Sequence, residues 1–130
     1  MALRKNTALR NAQADALGPM FNAGTLKIYT GAQPASANDA ASGSLLATIV
    51  IPATAFGAAA SGIIAKNGTW SAVATGTGTA GWARMASSDG LKIMDFLCAE
   101  SAADLIIDND AVVTGGAVTV TALTITVPAS

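Results

Sequence analysis

Leu26-Lys27-Ile28-Tyr29-Thr30-Gly31-Ala32-Gln33-Pro34 and, after a run of small residues, Leu45-Leu46-Ala47-Thr48-Ile49-Val50-Ile51-Pro52 form the stretch whose reading decides the fold. Between 25 and 30 the residues favour a strand, with Leu26 and Ile28 on one face and Lys27 and Tyr29 on the other. Residues 31–44 are dominated by Ala, Ser, Gly, Asn and Asp and have no hydrophobic period, so they form a loop. At about fourteen residues it exceeds the median connection of roughly 4–6; plain flexible linkage is the preferred reading, and the alternative is a functional loop or one ordered by a partner. Residues 45–51 are a nearly unbroken apolar run, which predicts a strand covered on both faces or close to a sandwich centre. Pro52 ends it.

Working outward toward the N-terminus, residues 6–21 read as a helix: Asn6 or Thr7 caps it, and Leu9, Ala12, Ala16, Leu17 and Met20 or Phe21 recur near a 3.6 period. Gly18-Pro19 is expected to end or kink it, since Pro costs about 3 kcal/mol in a helix interior. Two arrangements follow: a helix that plugs one end of a β domain, or an arm, basic at its tip through Arg4, Lys5 and Arg10, that reaches a neighbouring subunit. The expected organisation is a helical arm over 1–24 and one β domain over 25–130.

Toward the C-terminus, Phe56 anchors an otherwise featureless small-residue segment, and residues 62–65 give a short strand. Asn67-Gly68 predicts a hairpin to the strand over 69–74, because both residues tolerate positive φ. Trp70 and Trp82 lie on strands separated by one turn, either paired across a hairpin or in the core, with core placement preferred. Ser88-Asp89-Gly90 is a turn, and the strand over 91–99 turns Met94, Phe96 and Cys98 to the core. Residues 117–127 are the clearest strand, but Val118 and Val120 share a parity that Leu123, Ile125 and Val127 do not. Either a bulge near Thr121-Ala122 or a strand that passes from one sheet to the other reconciles the two halves, and the bulge is preferred.

Charged residues are 12% of this 130-residue chain, about half the usual ~25%. Its surface is therefore built of small neutral groups, which lose little rotamer entropy when covered. A net charge of −1 and scattered bases exclude a field that holds nucleic acid. Residues 1–11 carry Arg4, Lys5 and Arg10 and no apolar run, so no signal peptide is expected, and no segment reaches the ~20 apolar residues of a membrane span. The protein is expected to be made and kept in the cytoplasm, or to enter a particle assembled there.

Catalytic chemistry is not assembled by these residues. Histidine is absent and cysteine occurs once, so Ser-His and Cys-His pairs and an intramolecular disulfide are impossible. Cys98 reads as a small core residue. Asp104, Asp108 and Asp110 lack the spacing of a Ca²⁺ loop and read as solvated turn residues; Asp95 and Glu100, a conceivable glycosidase pair, read the same way. No metal, cofactor or small-molecule substrate is expected.

The N-terminal helix followed by Gly-Thr-Leu-Lys-Ile-Tyr-Thr-Gly-Ala-Gln-Pro-Ala-Ser-Ala, then Ser-Gly-Ser-Leu-Leu-Ala and Ala-Thr-Ala-Phe-Gly-Ala-Ala, resembles a family of short tailed-bacteriophage virion proteins. Gly-Trp-Ala-Arg-Met-Ala-Ser-Ser-Asp-Gly and the terminal Val-Thr-Val-Thr-Ala-Leu-Thr-Ile-Thr-Val-Pro also fit it, while Gly18-Pro19 departs from its more apolar helix. The resemblance implies an all-β, jelly-roll-like antiparallel sandwich and a capsid cement or decoration protein, a homodimer or homotrimer on the capsid exterior bound to the major capsid protein. It further implies that Arg4, Lys5 and Arg10 pair with capsid carboxylates, that Leu9, Leu17 and Phe21 bury against the partner, and that the loop contributes Gln33 and Asn38. A second reading is a receptor- or carbohydrate-binding module of a tail or fibre, which needs an exposed aromatic patch from Tyr29, Trp70 or Trp82.

Overall fold

The computed structural model describes residues 3–129. Helix α1, Thr7–Leu17, runs into a 3-10 turn over Gly18–Phe21. Nine strands follow: β1 Thr25–Thr30, β2 Leu45–Val50, β3 Ile63–Ala65, β4 Trp70–Val73, β5 Gly78–Ala86, β6 Ile93–Ala99, β7 Leu105–Ile107, β8 Ala111–Val112 and β9 Ala117–Thr126. They join in the order β2-β1-β5-β6-β7-β9-β3, with β4 also on β9 and β8 also on β5. The protein is mostly β, as its sequence predicts. Its sheet is mixed rather than antiparallel throughout, because β6 and β7 run parallel through Cys98↔Leu105.

The sheet curls on itself. β4 lies back along β2, and the N–H groups of Thr75 and Gly76 both donate to the Leu46 carbonyl, at 2.8 and 3.1 Å. The core fills the curl: Leu26, Ile28, Ile49, Met85 and Phe96 from one flank meet Trp70, Leu105, Ile107, Val120 and Leu123 from the other. Cys98 is buried among them. Its thiol is pushed up to about 12, first by burial and second by Asp110.

Bulges explain where simple alternation fails. In β2, Ile28 pairs with Ala47 but Tyr29 with Leu45, so Leu46 is an extra residue. Leu46 and Ala47 are consequently both buried while Leu45 and Val50 are exposed, and the apolar run reflects a bulge rather than a strand covered on both faces. In β9, Ile106 pairs with Ala122 and Ile107 with Val120, which leaves Thr121 extra at the expected place. That step returns Leu123 to the face of Val118 and Val120.

The Asn67-Gly68 hairpin does not form. β3 and β4 do not pair with each other; both run antiparallel to β9, through Ala65↔Thr124 and Trp70↔Val120. They are one long strand broken by a kink, in which Gly68 supplies a φ of +74° and Lys66 N–H keeps the ladder by donating to Leu123 O at 2.9 Å. The dipeptide encodes positive φ; which strands flank it is decided by the length of β9.

The helix packs on the β domain. Asn6 Oδ1 accepts from Leu9 N–H at 3.0 Å, the expected cap, and Gly18-Pro19 converts the helix to its 3-10 turn. The buried positions are Ala14, Gly18 and Phe21, with Leu17 partly buried, so the inward face differs from the one expected: Leu9, Ala12, Ala16 and Met20 face solvent. Polar groups set this phase. Arg10 donates through Nε to Val127 O at 2.9 Å and through Nη2 to Ser61 O at 3.1 Å. Asn11 Oδ1 accepts from Gly62 N–H and Asp15 Oδ1 from Ala59 N–H, both at 2.7 Å.

Candidate partner-binding surface

Strand register lays out the convex face of β2-β1-β5-β6 as three rows across four strands. Val50, Thr25, Ala86 and Ile93 form the first; Thr48, Lys27, Arg84 and Asp95 the second; Leu45, Tyr29, Trp82 and Leu97 the third. Side chains one residue away along each strand enter the core, so this face is the alternate set of a single pleat. It is banded: apolar, charged, apolar. Val50 is 70% exposed and Leu97 53% exposed, and Leu91, just before β6, is 80% exposed.

A bulge creates the aromatic part of the third row. Tyr29 pairs with Trp82 but Thr30 with Ala80, which makes Gly81 the extra residue and turns Ala80 inward and Trp82 outward. Only glycine fits there, because a Cβ would stand 2.0 Å from the Gly31 carbonyl oxygen. Trp82 then stacks on Tyr29, with ring centroids 4.7 Å apart and planes at 14°. Although it lies outside the main core, Trp82 is fully buried, because the 31–44 loop folds over it and Ser42 O accepts its indole N–H at 3.2 Å.

The loop also shields the charged row. Arg84 holds Asp95 through two bonds, Nε to Oδ1 at 2.8 Å and Nη2 to Oδ2 at 3.0 Å, with side chains 12% and 3% exposed. Asp95 raises the Arg84 pKa, chiefly through these hydrogen bonds and against the opposing effect of burial. The Arg84 guanidinium carbon lies 5.3 Å from the centroid of the Trp82 ring. Beside the pair, one groove of about 490 Å³ is lined by Thr25, Lys27, Tyr29, Ala41 and Ile93. A second, of about 600 Å³, passes between the loop at Asn38 and Asp39 and the apolar pair Leu91 and Ile93.

The loop is internally built. Ser44 N–H donates to Thr30 Oγ1 at 2.9 Å and Ser42 Oγ to Ala32 O at 3.3 Å, which closes its neck. Ser36 N–H donates to Asp39 Oδ2 and Asn38 N–H to Ser36 Oγ, which fixes its tip. This is a compact loop with paired ends, not a flexible tether.

The residues expected to contact a partner are dispersed. Arg4 and Leu9 are exposed on the helical segment, and Gln33 and Asn38 are exposed on the loop, where Asn38 lines the second groove. Three of the expected contacts are engaged within the chain. Phe21 is 2% exposed in the core, Leu17 packs against that core, and Arg10 is bound to Val127 and Ser61 carbonyls, so these are not free to serve a partner. The Lys5 backbone N–H donates to Ala129 O at 2.7 Å, pinning the start of the helical segment to the C-terminal residues. Met1 and Ala2 lie outside the described residues.

Lys27, Arg84 and Asp95, which organise the banded face, belong to no motif; the signal the sequence carries for them is a charged residue at the alternate position of each of three strands. Asp95 is committed to Arg84, and Glu100 Oε1 accepts the Asp110 N–H at 3.1 Å, so the two carboxylates serve separate local structures. Trp70 sits in the core, edge-on to Phe56 at 5.5 Å. Asp104 and Asp108 accept backbone N–H groups of Leu97 and Thr119, as turn carboxylates do. Among the described residues no group of three or more His, Cys, Asp or Glu is placed to hold a metal ion, and no helix is long and apolar enough to cross a membrane. Comparison with protein-family models, with curated proteins and with solved structures gives no match for this chain.

Proposed function

We propose that this protein is a viral structural protein of the capsid cement or decoration class, acting by surface docking. The observation that carries this reading is the banded convex face, an ordered apolar surface with Val50, Leu91 and Leu97 held out in solvent on a rigid sheet. Three exposed apolar side chains on one ordered face, beside a loop that borders two grooves, support a docking role. The resemblance to tailed-phage virion proteins names the partner, the major capsid protein on the outer surface of the head. In that class the two flanks of the curled sheet correspond to the layers of a jelly-roll-like sandwich.

The mechanism is mechanical. Each copy bridges neighbouring capsomers through a modest contact, of order 1,000–2,000 Å², and the lattice multiplies these contacts. The docking elements are the convex face and the 31–44 loop, with Lys27, Gln33, Asn38 and Val50 in contact. Arg4 and Leu9 add a secondary contact from the helical segment. Arg10, Leu17 and Phe21 act indirectly, by fixing that segment to the domain. A glycan- or receptor-binding role needs an open aromatic ring, whereas both tryptophans are fully buried and Tyr29 is half-buried against Trp82.

Purified protein mixed with capsids that lack it provides the test. Bound copies in proportion to the capsid lattice, together with a raised disassembly temperature, support cement. Absence from heads, or a handful of copies at the tail, overturns it in favour of the tail module.

A further inference from the structure

Backbone polarity on the rims of the convex face picks out one open strand edge. Bonded and non-bonded pairs alternate along an antiparallel ladder. Ser87 N–H donates to Lys92 O, so Ala86↔Ile93 and Arg84↔Asp95 are non-bonded pairs, and the N–H and C=O groups of Ile93 and Asp95 point away from β5. β7 joins β6 only at Cys98 and Ala99, and Leu97 N–H is taken by Asp104 Oδ2 at 3.3 Å. The segment 93–95 is therefore left without a strand beside it.

The opposite rim is better protected. Ile51 N–H donates to Gly24 O, so by the same alternation Thr48 and Val50 point outward from β2. There, however, the Thr75 and Gly76 N–H groups already occupy the edge at the Leu46 carbonyl, and the next outward position is Pro52, which has no N–H to give. On β6 neither device is present.

We infer that β6 is a self-association edge, which pairs antiparallel with β6 of a second copy of this chain about a two-fold axis through Met94. The backbone is self-complementary in that register. Ile93 and Asp95 stand one residue to either side of Met94, so each Ile93 exchanges backbone hydrogen bonds with Asp95 of the other copy. Leu91 and Leu97 stand three residues to either side, so these exposed leucines border the seam, while the slot beside Leu97 is held by Asp104 and the paired segment is 93–95. Asp95, which approaches its own symmetry mate diagonally, is already neutralised by Arg84. An isologous contact of this kind closes at two copies and leaves Val50, Lys27 and the loop free. It does not depend on the capsid reading.

Sedimentation equilibrium of the full chain, with two variants, tests the pairing. The wild type is expected to dimerise. Ile93→Pro removes an outward N–H without touching the β5 ladder and should weaken the dimer by about tenfold or more, with the circular dichroism spectrum and thermal melt retained. Met94→Cys places two thiols in the close non-bonded pair and should yield a covalent dimer on mild oxidation, while buried Cys98 alone does not. A wild type that stays monomeric at the highest attainable concentration overturns the inference. So does a dimer unaffected by Ile93→Pro and not captured by Met94→Cys, since it would use another surface. If Ile93→Pro fails to fold, the oxidised Met94→Cys dimer decides alone.

Discussion

Asp95 and Arg84 show how much a single contact on the convex face depends on its surroundings. Their doubly bonded pair lies under the loop, where removing one partner leaves the other charge poorly solvated. Asp95→Ala is expected to cost about 2 kcal/mol in urea denaturation, the loss of charge-assisted hydrogen bonds to an Arg84 that still borders two grooves. The pairing was not legible in the sequence, because it is fixed by the Arg84↔Asp95 register and not by spacing along the chain. Cys98 is the opposite case. Its burial follows from its place opposite Leu97 in the strand pattern, and the structure adds the thiol pKa near 12 against an ordinary 9.0. Between those values the folded chain binds a proton that the unfolded chain has lost. Its contribution to stability is therefore complete below pH about 9 and falls as pH rises toward 12. Two outcomes are expected: no reaction of native protein with a thiol reagent at neutral pH, and a melting temperature whose decline above pH 9 is reduced in Cys98→Ala relative to its own neutral value. Asp89 works in the other direction. Ser87 and then the Leu91 N–H hold its carboxylate below the ordinary 3.8, so its support for the 87–92 turn is present above that value and lost as pH drops through the lowered one.

At the level of elements, the helix and β9 carry the clearest tests. Arg10→Ala removes hydrogen bonds to Val127 and Ser61 carbonyls and should cost about 2 kcal/mol in thermal or chemical unfolding. Arg4→Ala, at an exposed position, should stay within about 0.5 kcal/mol of wild type. Equal effects at the two positions would contradict the docked helix. In β9, deleting bulge residue Thr121 leaves Val118, Val120 and Leu123 on one face, so a folded protein with a straighter strand is expected. Deleting Thr119 instead sends Val118 to the wrong face and should abolish the native near-ultraviolet signal. The parity change in β9 was fully legible, since apolar residues marked both halves. The helix phase was not: an apolar count favours Leu9 and Ala12, whereas Arg10, Asn11 and Asp15 find backbone partners on distant segments and rotate the helix toward them. The broken strand of β3 and β4 was hidden for a related reason, because Asn67-Gly68 has the same local chemistry in a kink as in a hairpin.

For the whole molecule, the mostly-β character and single core were readable from alternation and turn residues. The curl of the sheet and its parallel β6–β7 pair were not, since both depend on which distant strands share an edge. The structure also moves the proposed contact surface. The helical segment, readable either as a plug or as a partner-seeking arm, spends Arg10, Leu17 and Phe21 on its own domain, while the long loop lies on a banded sheet face with exposed apolar residues. That face is the central claim, and binding of three forms of the protein to capsids that lack it tests the claim most directly. A Lys27→Glu, Val50→Lys double variant, substituted at exposed positions of the face, is expected to lose lattice binding while melting like the wild type. An Arg4→Glu, Leu9→Lys variant of the helical segment is expected to retain most of it. The reverse pattern, with the face variant binding normally and the helix variant failing, would contradict the account.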